Sequence, residues 1–100
     1  MDTNVGFIGT GNMGSALVKG IAKSGIIPAS NIYINDIDRN RLSDLSKETG
    51  VNVVFNPVDL VEKADVIIIA VKPSVVKNVL EECKKTVNNK KVIVSIAVGI

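Results

Sequence analysis

Three glycines close to the N-terminus have a spacing that suits phosphate binding. Gly9, Gly11 and Gly14 form the pattern G-x-G-x-x-G. Gly9 can turn the chain sharply because it has no Cβ; Gly11 lets the backbone approach a pyrophosphate, and Gly14 lets a helix pack tightly on a strand. A helix that begins here directs unpaired N–H groups and the positive end of its dipole towards the phosphates. The glycines therefore predict a dinucleotide-binding loop, and the alternative is a glycine-rich turn that binds nothing.

The residues on both sides of the glycines favour the binding interpretation. Val5–Ile8 is a short apolar run typical of a strand, and an apolar periodicity of about 3.6 residues then predicts a helix over Asn12–Ser24, which ends at Gly25. The side of this helix that we expect to face the sheet carries Met13, Ala16, Leu17, Gly20 and Ile21. Ala16 and Gly20 are small, which suits close packing on the sheet. A strand, a glycine turn and a helix in this order are the context that the motif requires.

Asp36 follows the second predicted strand, residues 31–35, at about 20 residues beyond Gly14. An acidic residue at this distance is expected to accept hydrogen bonds from the ribose hydroxyls of the adenosine. Asn35 and Asp36 are therefore the predicted ribose-side residues. The charge of Asp36 repels a 2′-phosphate and favours NADH, whereas Arg39 could reach a 2′-phosphate and favour NADPH. Both cofactors stay open on these residues.

The rest of the sequence alternates between strand and helix patterns. Further strands are predicted over residues 51–55, 66–71 and 91–98. The second of these, VIIIAV, is apolar throughout, as in a parallel strand that is buried on both faces. Helices are predicted over residues 39–49, 57–63 and about 74–87. Asp38 and Asn56 precede the first two of them as capping residues.

This alternation predicts one Rossmann-type α/β domain over residues 1–100. We expect a doubly wound parallel sheet with strand order 3-2-1-4-5, right-handed crossovers and helices on both faces. The helix over residues 39–49 has only Leu42 and Leu45 as apolar contacts and should lie at the rim. The sequence stops after a buried-type strand, so we expect it to be the front part of a longer protein.

The composition indicates no metal, nucleic-acid or membrane site. The chain has 100 residues, no histidine, one cysteine and a net charge of +2, so neither a zinc site nor a basic binding surface is indicated. No apolar run approaches membrane-spanning length. The lone Cys83 fits a packing role and a reducing cytoplasm. Ser95 has no histidine to activate it, and no carboxylate pair suits acid–base work, so we predict no catalytic residue in this chain.

Three segments of the sequence resemble one family of enzymes. GFIGTGNMG at 6–14, ADVIIIAVKP at 64–73 and VIVSIAVGI at 92–100 are similar to the pyrroline-5-carboxylate reductases. The resemblance covers essentially the whole chain. It implies an NADPH- or NADH-dependent reductase that converts 1-pyrroline-5-carboxylate to L-proline in proline biosynthesis. It also implies a helical C-terminal domain, absent from this sequence, that forms the homo-oligomer and completes the substrate pocket. The isolated chain is therefore expected to bind cofactor without turnover.

The resemblance also assigns a cofactor site residue by residue. The implied pyrophosphate loop consists of Ile8, Gly9, Thr10, Gly11, Asn12, Met13 and Gly14. The implied segment beside the nicotinamide consists of Ala70, Val71, Lys72 and Pro73. Lys72 could offer a charge to cofactor or substrate, or be a solvated loop lysine. Asn56 matches a family asparagine that reaches the cofactor, but a simple helix cap explains it equally well.

Two positions depart from the family, and two other functions stay open. Ile37 stands where many members carry an arginine for the 2′-phosphate, and Val98 replaces an alanine. One alternative is the cofactor domain of another dehydrogenase, such as a 3-hydroxyacid or 6-phosphogluconate type, although these usually continue differently after the fourth strand. The other is a nucleotide-binding sensor that does no chemistry. The fold alone does not separate them, because one scaffold hosts many functions.

Overall fold

A computed structural model describes residues 3–70, 77–78, 81 and 91–95. These residues alternate between strands and helices as the sequence predicts. The elements in chain order are β1 (Val5–Ile8), α1 (Asn12–Ser24), β2 (Ile32–Asn35), α2 (Arg39–Thr49), β3 (Asn52–Val53), α3 (Pro57–Lys63), β4 (Val66–Ile69) and β5 (Val92–Ser95).

The strands form one parallel sheet in the order β3-β2-β1-β4-β5. This confirms the predicted Rossmann-type fold. β1 lies between β2 and β4, so that Val5 pairs with Ile32 on one side and with Val66 on the other. The chain therefore moves outward from β1 in one direction and then in the other, and the carboxyl end of β1 is the point where the strand order switches. Ligands of open α/β sheets bind at such a point.

The sheet has an apolar core on each face. One face packs against α1 and α2 and contains the fully buried Phe7, Val18 and Ile34. The other face packs against α3 and contains the buried Leu60 and Ile67. Every residue of β1 is buried, because β1 lies in the middle of the sheet with helices over both faces.

In β4 only alternate residues are fully buried, which corrects the expectation of burial on both faces. Ile67 and Ile69 are buried on the α3 side, whereas Val66 and Ile68 are half-buried at the margin of the opposite core. In the neighbouring strand β5, Val92 and Val94 pair with these two residues and are exposed. The described helices α1 and α2 pack mainly over β1 and β2, so on this face they cover β4 only in part.

The inward side of α1 agrees with the predicted one at Leu17 and Ile21 and differs from it at the other three positions. Gly14 and Val18 are the buried residues of the helix, and Leu17, Ile21 and Ala22 are half-buried beside the core. Met13 is exposed, and so are Ala16 and Gly20, which therefore do not provide the close helix–sheet contact. Gly14 itself makes that contact with the Gly9 carbonyl. Residues two and six positions further lie about 200–240° around the helix from it, on the far side.

The predicted helix ends are confirmed. Gly25 and Gly50 end α1 and α2 in the left-handed conformation, with φ of 73° and 82°. The Asp38 carboxylate accepts a hydrogen bond of 3.1 Å from the N–H of Arg41 and caps α2. Leu42 and Leu45 are the buried residues of this otherwise polar rim helix, as expected.

Two boundaries differ from the prediction. β3 (Asn52–Val53) is shorter than the predicted strand over residues 51–55. The strand pairing stops at Val54, because its carbonyl accepts a hydrogen bond from the Asn35 side chain and not from a backbone N–H of β2. A short 3₁₀ helix (Ala29–Asn31) replaces the expected loop before β2. Within the predicted helix over residues 74–87, the structure describes only residues 77, 78 and 81, and all three are helical. The rest of this helix, including Cys83, lies outside the described residues. No helix in the described part of the chain has the length and apolar character needed to cross a membrane.

Candidate dinucleotide site

The loop between β1 and α1 is a tight turn held to the neighbouring strand. Gly9 has φ of 90°, a conformation that glycine adopts without strain. Its N–H donates a hydrogen bond of 2.8 Å to the Asn35 carbonyl at the end of β2. Gly11 then caps α1, and the N–H of Ser15 donates to the Gly11 carbonyl at 2.8 Å. The first turn of α1 therefore begins directly at the carboxyl edge of the sheet.

The third glycine of the motif is required by packing. A Cβ on residue 14 would lie 2.6 Å from the Gly9 carbonyl oxygen and 3.5 Å from the Ala70 Cβ. Neither the backbone of the turn nor the buried Ala70 can move far. Gly14 thus lets α1 approach both the glycine turn and the end of β4, as its place in the motif predicts.

The second glycine is not required by packing within the described part of the protein. A Cβ on Gly11 would meet only the Arg41 Nη1 atom, at 3.9 Å. Its φ of −55° also does not demand glycine. A glycine in open space at a helix N-terminus is what close approach by a ligand requires. The structure therefore leaves room at Gly11 where the motif expects the pyrophosphate.

The residue between these glycines is bound to Asp36 at the end of β2. Thr10 is fully buried. Its N–H and its hydroxyl both donate hydrogen bonds to Asp36 Oδ2, at 2.7 Å and 2.9 Å. Its carbonyl accepts a hydrogen bond from the Ser15 hydroxyl. The Thr10 side chain is therefore used inside the protein, and only its neighbours can offer groups to a ligand.

Asp36 is held as a carboxylate by several donors. Its Oδ1 accepts a 2.9 Å hydrogen bond from the N–H of Asp38. Burial raises the pKa of Asp36, but the N–H groups of Asp38 and Thr10, the Thr10 hydroxyl and the charge of Arg41 together outweigh burial and lower the pKa below its ordinary value. The group is therefore ionised at neutral pH, and its negative charge lies beside the glycine loop.

Arg41, not Arg39, lies at this end of the site. Arg41 Nη1 is 3.7 Å from Asp36 Oδ2, and its side chain is about half exposed. The guanidinium of Arg39 instead lies over the exposed ring of Phe55, with its carbon 4.9 Å from the ring centroid. Arg39, which the sequence predicts to reach a 2′-phosphate, is therefore not the arginine beside Asp36, and no sequence pattern points to Arg41. Spacing could not separate them, because both residues belong to the first turn of α2.

The two asparagines assigned to the site have structural contacts. Asn35 is buried, and its Nδ2 donates to the Val54 carbonyl at 2.8 Å. Its side chain thus ties β2 to the chain after β3. Asn56 is exposed and caps α3, with its Oδ1 accepting from the N–H of Val58 at 2.9 Å. The cap interpretation of Asn56 is confirmed, and a cofactor contact through its Nδ2 stays a prediction.

The remaining predicted residues divide between the loop and the end of β4. Ile8 is buried in β1, and Asn12 and Met13 are exposed at the start of α1. Ala70 is buried, and its N–H donates to the Ile8 carbonyl at 2.8 Å, so the chain leaves β4 beside the glycine loop. Val71, Lys72 and Pro73 lie outside the described residues.

The assembled site can bind an anion and shows no metal centre. The described residues contain no group of three or more potential metal ligands. The carboxyl ends of β1, β2 and β4 bring together an open glycine, a helix N-terminus, an arginine and a carboxylate whose charge is partly compensated. This arrangement suits a phosphate-containing ligand at the strand-order switch.

Comparisons with known proteins agree with this arrangement. Residues 4–99 match the family described as "NADP oxidoreductase coenzyme F420-dependent". A pyrroline-5-carboxylate reductase of Methanosarcina acetivorans is 38% identical over 96 residues, which are 96% of this chain and 36% of the relative. The chain thus spans about a third of the length of the curated relatives that it matches.

Solved structures of the same enzyme class share the fold. A pyrroline-5-carboxylate reductase from Coxiella burnetii superposes with a TM-score of 0.90 at 31% identity, over 99% of this chain and 37% of that one. The Plasmodium falciparum pyrroline carboxylate reductase with NADP bound gives a TM-score of 0.81 at 33% identity, over 95% of this chain and 33% of that one. The resemblance predicted from the three sequence segments is confirmed.

Proposed function

Because the chain belongs to the family described as "NADP oxidoreductase coenzyme F420-dependent", we propose that it is the cofactor-binding part of a pyrroline-5-carboxylate reductase. The reaction is hydride transfer from NADPH or NADH to the imine of 1-pyrroline-5-carboxylate, which yields L-proline. The relatives of this name match almost the whole chain. The observation that carries cofactor binding is the open space at Gly11, at the N-terminus of α1, which the packing of the described protein does not explain.

The pyrophosphate lies over the turn from Gly9 to the start of α1 in this proposal. The N–H groups of Gly11, Asn12 and Met13 are among the four that the start of the helix leaves without a carbonyl partner within the helix. They face the switch point of the sheet and are available to phosphate oxygens. Ile8 and Gly14 contribute by shaping the turn beneath them.

The two ends of the cofactor lie on opposite sides of this loop. The adenosine lies towards β2 and β3, where Asp36, Arg41 and Asn56 surround the carboxyl edge of the sheet. The nicotinamide lies towards the end of β4, where Ala70 begins the predicted segment that continues through Val71, Lys72 and Pro73. The cofactor supplies the hydride, and the residues of this chain bind and orient it.

Turnover requires more of the protein than these 100 residues in this proposal. The relatives are about three times as long as the segment that matches them. The substrate pocket and the homo-oligomer contacts lie in the helical part that the resemblance implies. The single cysteine is consistent with a cytoplasmic enzyme of proline biosynthesis.

A calorimetric titration with NADPH and NADH tests the cofactor proposal, and a variant of the second glycine sharpens it. Gly11→Ala adds a methyl group that the described protein can accommodate, because the nearest atom would be 3.9 Å away. We expect an unchanged unfolding temperature and a dissociation constant raised at least ten-fold for both cofactors. Gly20→Ala, on the exposed side of α1, is the matched control and should bind as the unaltered chain does.

The reaction itself is tested in the longer protein. Steady-state reduction of 1-pyrroline-5-carboxylate should require residues beyond this chain, and the isolated chain should show none. Failure of the unaltered chain to bind either dinucleotide would overturn the cofactor proposal. Turnover by the isolated chain would overturn only the requirement for the remainder.

A further inference from the structure

Asp36, the acidic residue that follows β2, accepts hydrogen bonds from groups of the protein itself. The side chain of Asp36 is 9% exposed. Its Oδ2 accepts two hydrogen bonds from Thr10, at 2.7 Å and 2.9 Å, and its Oδ1 accepts one from the N–H of Asp38 at 2.9 Å. Each carboxylate oxygen offers about two acceptor sites. Three of these sites are already taken, so recognition of both ribose hydroxyls would require Asp36 to give up at least one of its bonds to Thr10 or Asp38.

The contact with Thr10 controls the residue at the centre of the glycine loop. Thr10 lies between Gly9 and Gly11, and the neighbouring N–H of Gly9 is bound to the Asn35 carbonyl at 2.8 Å. The end of β2 thus holds two consecutive loop residues. The carbonyl of Thr10 accepts from the Ser15 hydroxyl in the first turn of α1. The position of Asp36 is transmitted through Thr10 to the N–H groups that start the helix.

The charge of Asp36 is also partly compensated. Arg41 Nη1 lies 3.7 Å from Asp36 Oδ2, the same atom that accepts the two hydrogen bonds from Thr10. Hydrogen bonds to a carboxylate and a nearby opposite charge both reduce the repulsion that a second anion experiences. Repulsion of a 2′-phosphate, the usual reason why an aspartate here favours NADH, is weakened by these partners.

We propose that Asp36 is a positioning residue, which acts through Thr10 to hold the pyrophosphate loop, and that it does not select NADH over NADPH. This inference rests on the proposed function, since it concerns the same cofactor. It replaces the ribose-acceptor role that the sequence predicts with a role in the geometry of the loop. Its consequence is that changes at Asp36 or Thr10 weaken binding of both cofactors by the same factor.

Four variants of the 100-residue chain test the inference by calorimetry with NADH and NADPH. Asp36→Asn removes the charge and one acceptor end, and Thr10→Val removes the hydroxyl at nearly constant shape. We expect each to raise both dissociation constants by about ten-fold, as loss of a charge-assisted hydrogen bond implies. The ratio of the two constants should stay within two-fold of its original value. Thr10→Ser keeps the hydroxyl and should restore binding, and the double variant should be no worse than Asp36→Asn alone.

Controls separate positioning from general loss of structure. Glu62→Gln removes an exposed carboxylate from the last turn of α3, which leads to the amino end of β4, and should leave both affinities unchanged. All titrations are made well below each variant's unfolding temperature. A shift of the affinity ratio towards NADPH by ten-fold or more in Asp36→Asn would overturn the inference, and so would Thr10→Val binding as the unaltered chain does. Failure of the unaltered chain to bind either cofactor is a different result: it overturns the proposed function and, with it, the cofactor role of this contact.

Discussion

The carbonyl oxygen of Gly9 lies 2.6 Å from the point that a Cβ on residue 14 would occupy. This separation is too short for two non-bonded heavy atoms, so the first turn of α1 rests directly on the backbone of the glycine turn. Gly14→Ala would force the helix outward from the sheet, and overpacking of this kind costs about 1–3 kcal/mol. We expect a lower free energy of unfolding in urea, followed by circular dichroism.

Gly20→Ala is the control for this prediction, because it lies on the same helix. No atom of the described protein would lie within 4 Å of the added Cβ. Alanine in an exposed helix interior stabilises by up to about 1 kcal/mol relative to glycine. Equal stability changes in the two variants would contradict the assignment of Gly14 as the contact residue.

Gly6 makes a second close contact, on the opposite face of β1. A Cβ at this position would collide with the Leu60 side chain and lie 3.0 Å from the Ala64 Cβ. We expect Gly6→Ala to lower the free energy of unfolding by about 1–3 kcal/mol. Leu60→Val in the same chain should recover part of this loss, because it removes the Leu60 Cδ2 atom, which would lie nearest to the added Cβ. A double-mutant cycle measures that coupling, and additive effects would show that α3 is not tightly packed on β1.

The order of the sheet and the place of the glycine loop could be predicted from the sequence. Val5–Ile8 and the run that begins at Val66 are apolar segments of strand length, and right-handed crossovers leave few arrangements for such an alternation. The rotation of the helices could not be predicted. Arg39 and Arg41 are two residues apart and point about 200° apart around α2. The packing of Leu42 and Leu45 against the core sets the rotation of α2 about its axis, and this rotation decides which arginine lies beside the loop.

The hydrogen bonds between Thr10 in the glycine loop and Asp36 after β2 also could not be predicted from the sequence. Thr10 and Asp36 are 26 residues apart, and their contact depends on how closely two strand ends approach. The sequence motif predicts a ligand contact for each of these two residues, because such motifs are defined by the residues that surround a bound ligand. In the structure these two side chains bind each other. Local patterns contain no signal for such a contact between neighbouring loops.

The stability of the protein should depend on pH through Asp36. Its pKa in the folded protein is lowered from 3.8, so the folded carboxylate holds its proton more weakly than the unfolded one. The stabilisation is therefore fully present above the unfolded value and is lost as the pH falls through the folded value. We expect the stability difference between the unaltered chain and Asp36→Asn to be constant near neutral pH and to shrink below about pH 4. Urea unfolding at a series of pH values measures it, and a difference that does not change with pH would contradict the prediction.

Asn56 has a confirmed cap and a predicted cofactor contact, which two substitutions separate. Asn56→Ala removes the acceptor for the N–H of Val58 and should lower the free energy of unfolding by about 1 kcal/mol. Asn56→Asp keeps the capping oxygen and should preserve stability. It lacks the amide donor and adds a negative charge, so we expect weaker binding of both dinucleotides. Unchanged affinity in a fully stable Asn56→Asp variant would leave Asn56 as a cap alone.

Arg41 is the residue whose removal should change the choice of cofactor. Its guanidinium is 3.7 Å from Asp36 and is the nearest described group to the open side of Gly11. In Arg41→Gln the charge of Asp36 loses this partner, so a 2′-phosphate meets stronger repulsion and loses a cation. We expect the affinity for NADPH to fall by about ten-fold, that for NADH to fall less, and the NADPH loss to diminish at high salt.

Two further chains decide whether the effect belongs to this pair of charges. Lys47→Gln makes the same change of net charge in the last turn of α2 and should leave the NADPH to NADH ratio unaltered. Adding Asp36→Asn to Arg41→Gln removes the uncompensated carboxylate, so the ratio should return towards that of the unaltered chain while both affinities stay weakened by the loss of the loop contact. A ratio that remains shifted in the double variant would mean that Arg41 contacts the 2′-phosphate itself and that its partnership with Asp36 has no part in the choice of cofactor.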